Sequence, residues 1–113
     1  MKLVKAYVRY NKTEEVYFGL EKAGFCCMTF VECEGTGQYS DQEKEHISDK
    51  FPFAEPDRII KVEMLIADDH TDQVVDIIRK NARTGYRGDG MIILSPVDEV
   101  YKVRTDDQGD LAM

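Results

Sequence analysis

Apolar and polar positions in the first third of the chain switch between the spacing of a strand and the spacing of a helix. Residues 2–10 place apolar side chains at every second position, which predicts a half-buried strand. Asn11 and Glu14 are spaced for a reciprocal cap, and apolar residues then recur at helical spacing until Gly24. Residues 25–34 return to extended spacing. The pattern therefore predicts a strand, a helix and a second strand.

The second half of the chain repeats this order. Residues 60–66 alternate strongly and predict a strand, after which Asp69 or Thr71 is placed to cap a helix with one apolar face. Residues 91–94 form a short apolar strand, and residues 97–104 alternate again, which predicts an extra strand near the C-terminus. Two such halves are typical of an α+β, ferredoxin-like βαββαβ sandwich with both helices on one face of an antiparallel sheet.

One long segment interrupts the pattern and predicts a loop. Residues 35–58 are rich in glycine, proline and charge and lack periodic apolar spacing. We treat residues 1–113 as a single domain with a flexible tail over about 105–113. Two helices on one face leave the other face of the sheet uncovered, so we also expect self-association. The apolar strand residues that cannot all lie on the helix side include Ala6, Val8, Tyr10, Phe30 and Met64.

Composition and charge narrow the function. The 113 residues include 15 Lys and Arg against 22 Asp and Glu, for a formal net charge of -7. Such a surface repels phosphate backbones, so we expect no nucleic-acid partner. No run approaches the roughly 20 apolar residues that span a bilayer, and the first residues lack the apolar stretch of a signal peptide. We therefore expect a cytoplasmic protein.

Cysteine and histidine give little support for a metal or redox site. Cys26, Cys27 and Cys33 are odd in number and two are adjacent, which fits neither a disulfide framework nor a spaced metal pair. We expect reduced, mostly buried thiols. His70 follows two aspartates and could ligate a metal, but a capping segment explains it better, and His46 fits a solvated loop. We predict no metal site.

The clearest candidate site is the glycine-rich segment 84–90, Thr-Gly-Tyr-Arg-Gly-Asp-Gly. Its three glycines allow backbone N–H groups to converge on an anion such as phosphate, and Arg83 and Arg87 add positive charge. A helix end followed by a tight turn explains one or two of these glycines equally well. Further residues suited to an anion site are Gly35, Gly37, Lys102 and Arg104.

Over almost its whole length the chain resembles the PII nitrogen-regulatory signal-transduction family. The most specific match is Thr-Gly-x-x-Gly-Asp-Gly at 84–90, and a supporting match is Gly35-x-Gly37. The resemblance implies a ferredoxin-like homotrimer that binds an adenine nucleotide in clefts between subunits. It also implies a T-loop, here about 37–57, that grips a target membrane transporter or metabolic enzyme. It implies a regulator in nitrogen or carbon metabolism, without catalysis.

Carried over to this sequence, the family's site implies two groups of residues. The nucleotide-binding group is Gly35, Thr36, Gly37, Gln38, Met64, Leu65, Arg87, Gly88, Asp89, Gly90, Lys102 and Arg104. The partner-binding group in the T-loop is Tyr39, Asp41, Glu45, Ser48, Phe51 and Phe53. Met64 and Leu65 would lie near the adenine, and Gly88 to Gly90 would hold the phosphates. The resemblance implies no catalytic residue, no metal and no required cofactor, and the possible ligands are AMP, ADP and ATP.

The sequence departs from the family at the cations of this site. Gln38, Ile59 and Met91 stand where the family has arginine or lysine, and Tyr39 replaces the glutamine used near magnesium and 2-oxoglutarate. Each lost charge-assisted hydrogen bond is worth roughly 1.5–3 kcal/mol. We therefore expect a ligand with fewer phosphates than ATP unless other cations compensate. The cations placed to do so are Arg58, Lys61, Arg83 and Arg87.

Two other classes of function stay open on the residues. One is an interaction module of the same fold that has lost ligand binding, which the missing cations favour. The other is a small enzyme of acylphosphatase type, for which Arg9 and Asn11 would have to surround an N-terminal phosphate loop. The glycine-rich segment lies in the wrong half of the chain for that enzyme.

Overall fold

The computed structural model describes residues 1–35 and 58–113. The helices and strands are β1 (Lys2–Arg9), α1 (Thr13–Lys22), β2 (Thr29–Glu34), β3 (Arg58–Ile66), α2 (Thr71–Ala82) and β4 (Met91–Pro96). Short 3-10 helices cover Tyr10–Lys12, Asp68–His70 and Gly109–Ala112. The strands form one antiparallel sheet in the order β2-β3-β1-β4. This is the predicted ferredoxin-like α+β fold. No helix in the described ranges is long and apolar enough to cross a membrane.

The core lies between one face of the sheet and both helices. In the two central strands, Val4 pairs with Met64 and Ala6 pairs with Val62, and all four side chains are buried. They meet residues from one side of each helix, as the helical spacing predicts. The buried apolar residues are Val4, Ala6, Val8, Val16, Leu20, Ile60, Val62, Met64, Ile66, Val74, Ile78 and Ala82.

The expectation that apolar strand residues divide between the two faces is wrong. Ala6, Val8 and Met64 all lie on the helix side and are buried. Because side chains alternate along a strand, the even-numbered positions of β1 share one face, and β3 is paired so that its own even positions join them. Exposed apolar side chains lie on both edge strands, at Met91, Ile93 and Leu94 of β4 and at Phe30 and Val31 of β2.

Both helices begin in the same way, without the predicted side-chain caps. A 3-10 turn leads into each helix, and the first threonine of the helix, Thr13 or Thr71, donates from Oγ1 to a carbonyl three residues earlier at 2.8 Å. Neither helix start has a capping hydrogen bond from a side chain. The caps expected from Asn11 and Asp69 are therefore not formed, because the 3-10 turns place other residues at the start of each helix.

The end of α1 follows the prediction, and the start of β2 does not. Gly24 has a φ of 93°, and its N–H donates to the Glu21 carbonyl at 2.9 Å. The N–H of Phe25 donates to the Leu20 carbonyl at 3.0 Å, which completes a Schellman motif. Because this motif uses the residues after Gly24, the strand predicted from residue 25 begins only at Thr29.

The expectation of mostly buried thiols is also wrong. Cys26 and Cys27 are exposed, and Cys33 is half-buried. The two positions of this connection that turn inward are taken by Phe25 and Met28, which pack against the core. The adjacent cysteines between them are left on the surface.

The strand predicted over 97–104 is not formed. In the described residues after β4, the chain makes one isolated bridge, between Tyr101 and Gln108. The N–H of Lys102 donates to the Asp107 carbonyl at 3.0 Å, so the segment folds back on itself. Alternation gives a segment two faces, but a strand also needs a partner strand, and the described sheet offers none here. The mobility expected of residues 105–113 stays a prediction.

The hairpin of β2 and β3 frames the long loop. The two strands pair from Thr29 opposite Glu63 to Glu34 opposite Arg58. The chain therefore leaves the sheet and returns to it at two directly paired positions. The loop residues 36–57 lie outside the described part of the chain.

Candidate functional site

The predicted site residues separate between the two ends of the sheet. Arg9 ends β1 at one end, where the chain also passes through Gly35 and where segment 84–90 leads into β4. Beyond the other end lies the loop that follows β4, in which Lys102 interacts electrostatically with Cys27 just before β2. The eight residues of β1 between these ends span about 26 Å. One chain therefore cannot bring both groups to the same small ligand.

All three glycines of segment 84–90 adopt a left-handed backbone. The φ angles are 88° at Gly85, 97° at Gly88 and 98° at Gly90. A Cβ atom on Gly90 would lie 1.7 Å from the carbonyl oxygen of Tyr7, so this position also brings two backbones into contact. A simple helix end and tight turn needs only one or two such glycines, and the segment is more specialised than that.

Asp89 holds the turn together from the inside. One of its carboxylate oxygens, Oδ2, accepts hydrogen bonds from the backbone N–H groups of Thr84 and Gly85, both at 2.9 Å. The other, Oδ1, accepts from the Thr84 hydroxyl and from Arg9 Nε, the latter at 2.9 Å. Burial alone would raise the pKa of Asp89, but the hydrogen bonds from Thr84, Arg9 and Gly85 outweigh it and hold the pKa far below its usual value. The Asp89 carboxylate is thus a structural clamp.

The backbone hydrogen bonds of the clamp come from the first residues of the turn and not from its last three. Its hydrogen bonds are donated by the N–H groups of Thr84 and Gly85, and the N–H of Tyr86 donates to the Thr84 hydroxyl at 3.1 Å. In the described structure, none of the hydrogen bonds that hold the turn comes from the N–H groups of residues 88–90. These are the groups that the family resemblance would place at the phosphates. They meet the chemical requirement for an anion site, since backbone N–H groups beside left-handed glycines can converge on one oxygen.

Arg9 belongs to this site, although from the sequence it was a candidate only for an acylphosphatase-type enzyme. Its Nε donates to Asp89, and one of its terminal nitrogens donates to the Arg87 carbonyl at 2.7 Å. Its side chain is 28% exposed. Arg9 lies at the end of β1, which pairs with β4 directly after the turn. Only the pairing of the first and last strands reveals this contact, and the sequence order alone does not.

Ile59 and Met91 stand at positions where the family has a cation, and both lie near Arg9 and the turn. Ile59 pairs with Arg9, and Met91 pairs with Tyr7 as the first residue after the turn. The Met91 side chain is 61% exposed, so a longer charged side chain would have room there. Arg9 is therefore a cation next to two apolar positions.

Two of the cations expected to compensate are held by neighbours. Arg58 forms an ion pair with Glu32 and stacks over the Tyr10 ring, with its guanidinium carbon 4.3 Å from the ring centroid. Lys61 forms an ion pair with Glu63 at 3.1 Å. Recruiting either cation to a ligand would first break these contacts.

A groove of about 450 Å³ opens between α2 and β4 beside the turn. Its lining includes Arg79 and Arg83 from the end of α2, together with Asp89, Gly90 and Met91. Arg83 is therefore on the turn side of the helix, where it adds positive charge next to the backbone groups described above.

The other residues predicted to bind a nucleotide lie in different parts of the structure. The Met64 side chain is 3% exposed and lies in the core, so any contact of Met64 with a ligand would use its backbone. Leu65 follows on the opposite face of β3 and is half-buried. Gly35 contacts Ile59, whose Cδ1 would lie 3.0 Å from a Cβ at residue 35. Residues 36–38 and the whole partner-binding group lie outside the described ranges.

The side chains of the segment before α2 contact other groups. Asp68 forms an ion pair with the N-terminal ammonium of Met1 at 3.0 Å. The His70 ring packs edge-on against Phe25, with ring centroids 5.4 Å apart. The described residues hold no group of three potential metal ligands. Residues 68–70 form the 3-10 turn that leads into the helix.

The fold and the clamped turn define a small ferredoxin-like α+β domain whose candidate site lies at one end of its sheet. The family model described as Nitrogen regulatory protein P-II matches residues 1–107, and the chain belongs to this family. It is 37% identical over 113 residues to a Nitrogen regulatory protein P-II of Microchaete diplosiphon and 34% identical over 113 residues to one of Porphyra purpurea, with both chains covered completely in each case. It is 37% identical over 118 residues to Nitrogen regulatory protein P-II 2 of Methanothermobacter thermautotrophicus, covering 100% of this chain and 97% of that one.

Membership of this family decides between the broad classes of function. P-II proteins are regulatory signal-transduction proteins, so the prediction of a regulator is confirmed and the acylphosphatase-type alternative is wrong. A regulator of this kind acts through target proteins.

Proposed function

We propose that this P-II protein is a cytoplasmic homotrimer that binds an adenine nucleotide between subunits and controls a partner protein through the T-loop, residues 37–57. The observation that carries the proposal is the clamped turn. Asp89 and Arg9 fix its backbone, and within residues 1–35 and 58–113 none of the hydrogen bonds that hold it is donated by the N–H groups of residues 88–90. A turn of this kind offers an anion site that needs little reorganisation on binding.

The two ends of the sheet support a site shared between subunits. The turn lies at one end, and Lys102 lies beyond the other, about 26 Å away along the strand direction. A nucleotide that contacts both groups must take them from two chains. The exposed apolar residues of edge strand β4 offer a surface on which such chains can assemble.

We propose that the T-loop reports ligand binding. The chain leaves β2 at Glu34 and enters β3 at Arg58, at the same end of the sheet as the turn. A ligand on the turn therefore lies close to the base of the segment that would contact the partner. The proposed partner is a membrane transporter or a metabolic enzyme, and the adenine nucleotide is the small-molecule effector.

We further propose that the ligand carries fewer phosphates than ATP. Ile59 and Met91 supply no charge beside the turn, and Arg58 and Lys61 are held by Glu32 and Glu63. Arg9 is itself held by Asp89, and backbone N–H groups with Arg83 nearby suit one or two phosphates better than three.

Isothermal titration calorimetry with AMP, ADP and ATP tests this proposal. We expect AMP or ADP to bind at least as tightly as ATP. The variant Met91→Lys should raise the affinity for ATP roughly tenfold, equivalent to about 1.4 kcal/mol, because it places a cation next to Gly90. Leu111→Lys is the matched control, since it adds the same charge at a residue that is 78% exposed in the C-terminal 3-10 helix.

One result would point to the other class of function. If neither the natural chain nor Met91→Lys binds any of the three nucleotides, and Arg104→Ala changes nothing, the site does not bind nucleotide. The missing cations would then mark an interaction module of P-II fold that works without a nucleotide.

A further inference from the structure

The connection from α1 to β2 displays two adjacent cysteines on the protein surface. Phe25 is fixed by its N–H bond to the Leu20 carbonyl and by its ring contact with His70. Met28, at the other end of the connection, packs against the core. Between these two anchors, Cys26 and Cys27 are both exposed. The anchors restrict the backbone, so the two thiols are held on the same short segment rather than on a free loop.

The two thiols are in contact. Their Sγ atoms lie 2.7 Å apart, and Cys27 has a φ of 68°. Apart from glycine, few residues adopt this left-handed backbone without cost. A strained, non-glycine residue that places its side chain against a reactive neighbour is a reason to look for function at that position.

The surroundings of the pair favour sulfur redox chemistry over metal binding. The described residues contain no third ligand that would complete a metal site with these cysteines. The hydrogen bond with Cys26 raises the pKa of Cys27, with a smaller contribution from burial, while the nearby ammonium of Lys102 acts in the opposite direction. The reactivity of Cys27 should therefore increase as the pH rises toward its raised thiol pKa.

We propose that Cys26 and Cys27 form a redox-active dithiol that a low-molecular-weight disulfide oxidises to a vicinal disulfide. One thiolate attacks a sulfur of the reagent, breaks the reagent's S–S bond and releases one thiol, leaving a mixed disulfide on the protein. The second cysteine then loses its proton, attacks the protein sulfur of that mixed disulfide and releases the second thiol. In total, the protein loses two electrons and two protons, and the reagent gains them.

The bond should be easily reversed. Adjacent Cα atoms are about 3.8 Å apart, which is closer than the roughly 4.4–6.8 Å of ordinary disulfides. A strained disulfide is reduced more readily than a structural one. The pair therefore suits a modification that is made and removed as the thiol balance changes.

Intact-mass spectrometry under denaturing, non-reducing conditions tests the proposal. The full chain carrying Cys33→Ser retains only this pair of thiols, and it would be reduced, freed of reductant and exposed to glutathione disulfide at about pH 8, because a mildly alkaline pH increases the thiolate fraction. We expect a single-chain product lighter by two hydrogen atoms, without attached glutathione, that dithiothreitol converts back. The matched control, Cys26→Ser with Cys33→Ser, has one thiol of the pair and should instead keep one glutathione.

The competing outcomes are distinct in mass. Glutathione retained on both cysteines, a disulfide between two chains, or no reaction in the Cys33→Ser chain would each overturn the proposal. The circular dichroism spectrum of each reduced variant confirms that the chain is folded before the reaction, and Cys26→Ala combined with Cys33→Ser provides a second single-thiol control of different polarity.

Discussion

Gly90 and Gly85 share a left-handed backbone but differ in what surrounds them. A Cβ on Gly90 would meet the Tyr7 carbonyl at 1.7 Å, whereas nothing lies within 4 Å of the same atom on Gly85. We expect Gly85→Ala to cost roughly 1–2 kcal/mol, from backbone conformation alone. Gly90→Ala should cost roughly 2–5 kcal/mol, because two backbones must also move apart. Urea unfolding at matched protein concentration measures both, and equal losses would contradict the close approach.

Asp89 gives the stability of the fold a defined dependence on pH. Its pKa is lower in the folded chain than the value of about 3.9 in an unfolded chain, so the unfolded chain binds the proton more readily. The contribution of Asp89 is therefore complete above about pH 5 and is lost as the pH falls through the folded pKa. We expect Asp89→Asn to cost roughly 1.5–3 kcal/mol near pH 7, and this difference from the natural chain should shrink by about pH 3.

The matched control for Asp89 is Asp110→Asn, which removes the same charge from the C-terminal 3-10 helix, away from the turn. Its unfolding free energy should stay close to that of the natural chain at every pH. Urea unfolding at several pH values makes the comparison. A loss in Asp89→Asn that does not change with pH would show that the carboxylate is not the clamp.

The start of α1 allows a test of which side chain stabilises the helix. In α1, Thr13 makes a hydrogen bond to the Tyr10 carbonyl, while Asn11 makes no capping bond. We expect Thr13→Val, which keeps the shape of the side chain, to cost roughly 0.5–1.5 kcal/mol. Asn11→Ala should change stability little, whereas a working cap would cost about 1 kcal/mol. Thermal unfolding of the two variants measures both losses. A larger loss for Asn11→Ala than for Thr13→Val would show that Asn11 caps the helix, as predicted from the sequence.

The spacing of apolar residues predicted the helices and strands because each of them depends mainly on its own residues. The even positions of β1 and β3, the apolar side of α2 and the stop at Gly24 are all local patterns. The errors lie where a distant partner decides the outcome. Residues 97–104 alternate but have no described partner strand, and residues 25–28 have strand composition but are used by the helix end and the core.

The same reasoning explains how much of the candidate site could be predicted. Segment 84–90 is recognisable from its glycines, and its acid is part of the motif. The inward direction of Asp89 and the contribution of Arg9 depend on β1 pairing with β4, which joins the two ends of the chain. The exposure of Cys26 and Cys27 depends on which of their neighbours enter the core. These features depend on tertiary contacts, so the local spacing of residues does not predict them.

The assembly gives a prediction for the whole molecule. Edge strand β4 exposes Met91, Ile93 and Leu94, and the proposed site needs residues from two chains. We expect sedimentation equilibrium to give a mass close to three chains. Ile93→Lys should shift the mass toward one chain, because it places a charge on the exposed edge, while Leu111→Lys should not. A monodisperse monomer in the natural chain would rule out the shared site.

The pairing of Glu34 with Arg58 marks where the sheet ends and the long segment begins. Paired positions of an antiparallel sheet have Cα atoms only about 5 Å apart, so the sheet is already closed where the long segment departs. Doubling the length of such a segment adds only about 0.6 kcal/mol to the entropic cost of closing it. Evolution can therefore rewrite or exchange the segment at little cost to the framework that carries it. One stable scaffold can in this way be adapted to new partners while the chemistry at the end of its sheet stays the same.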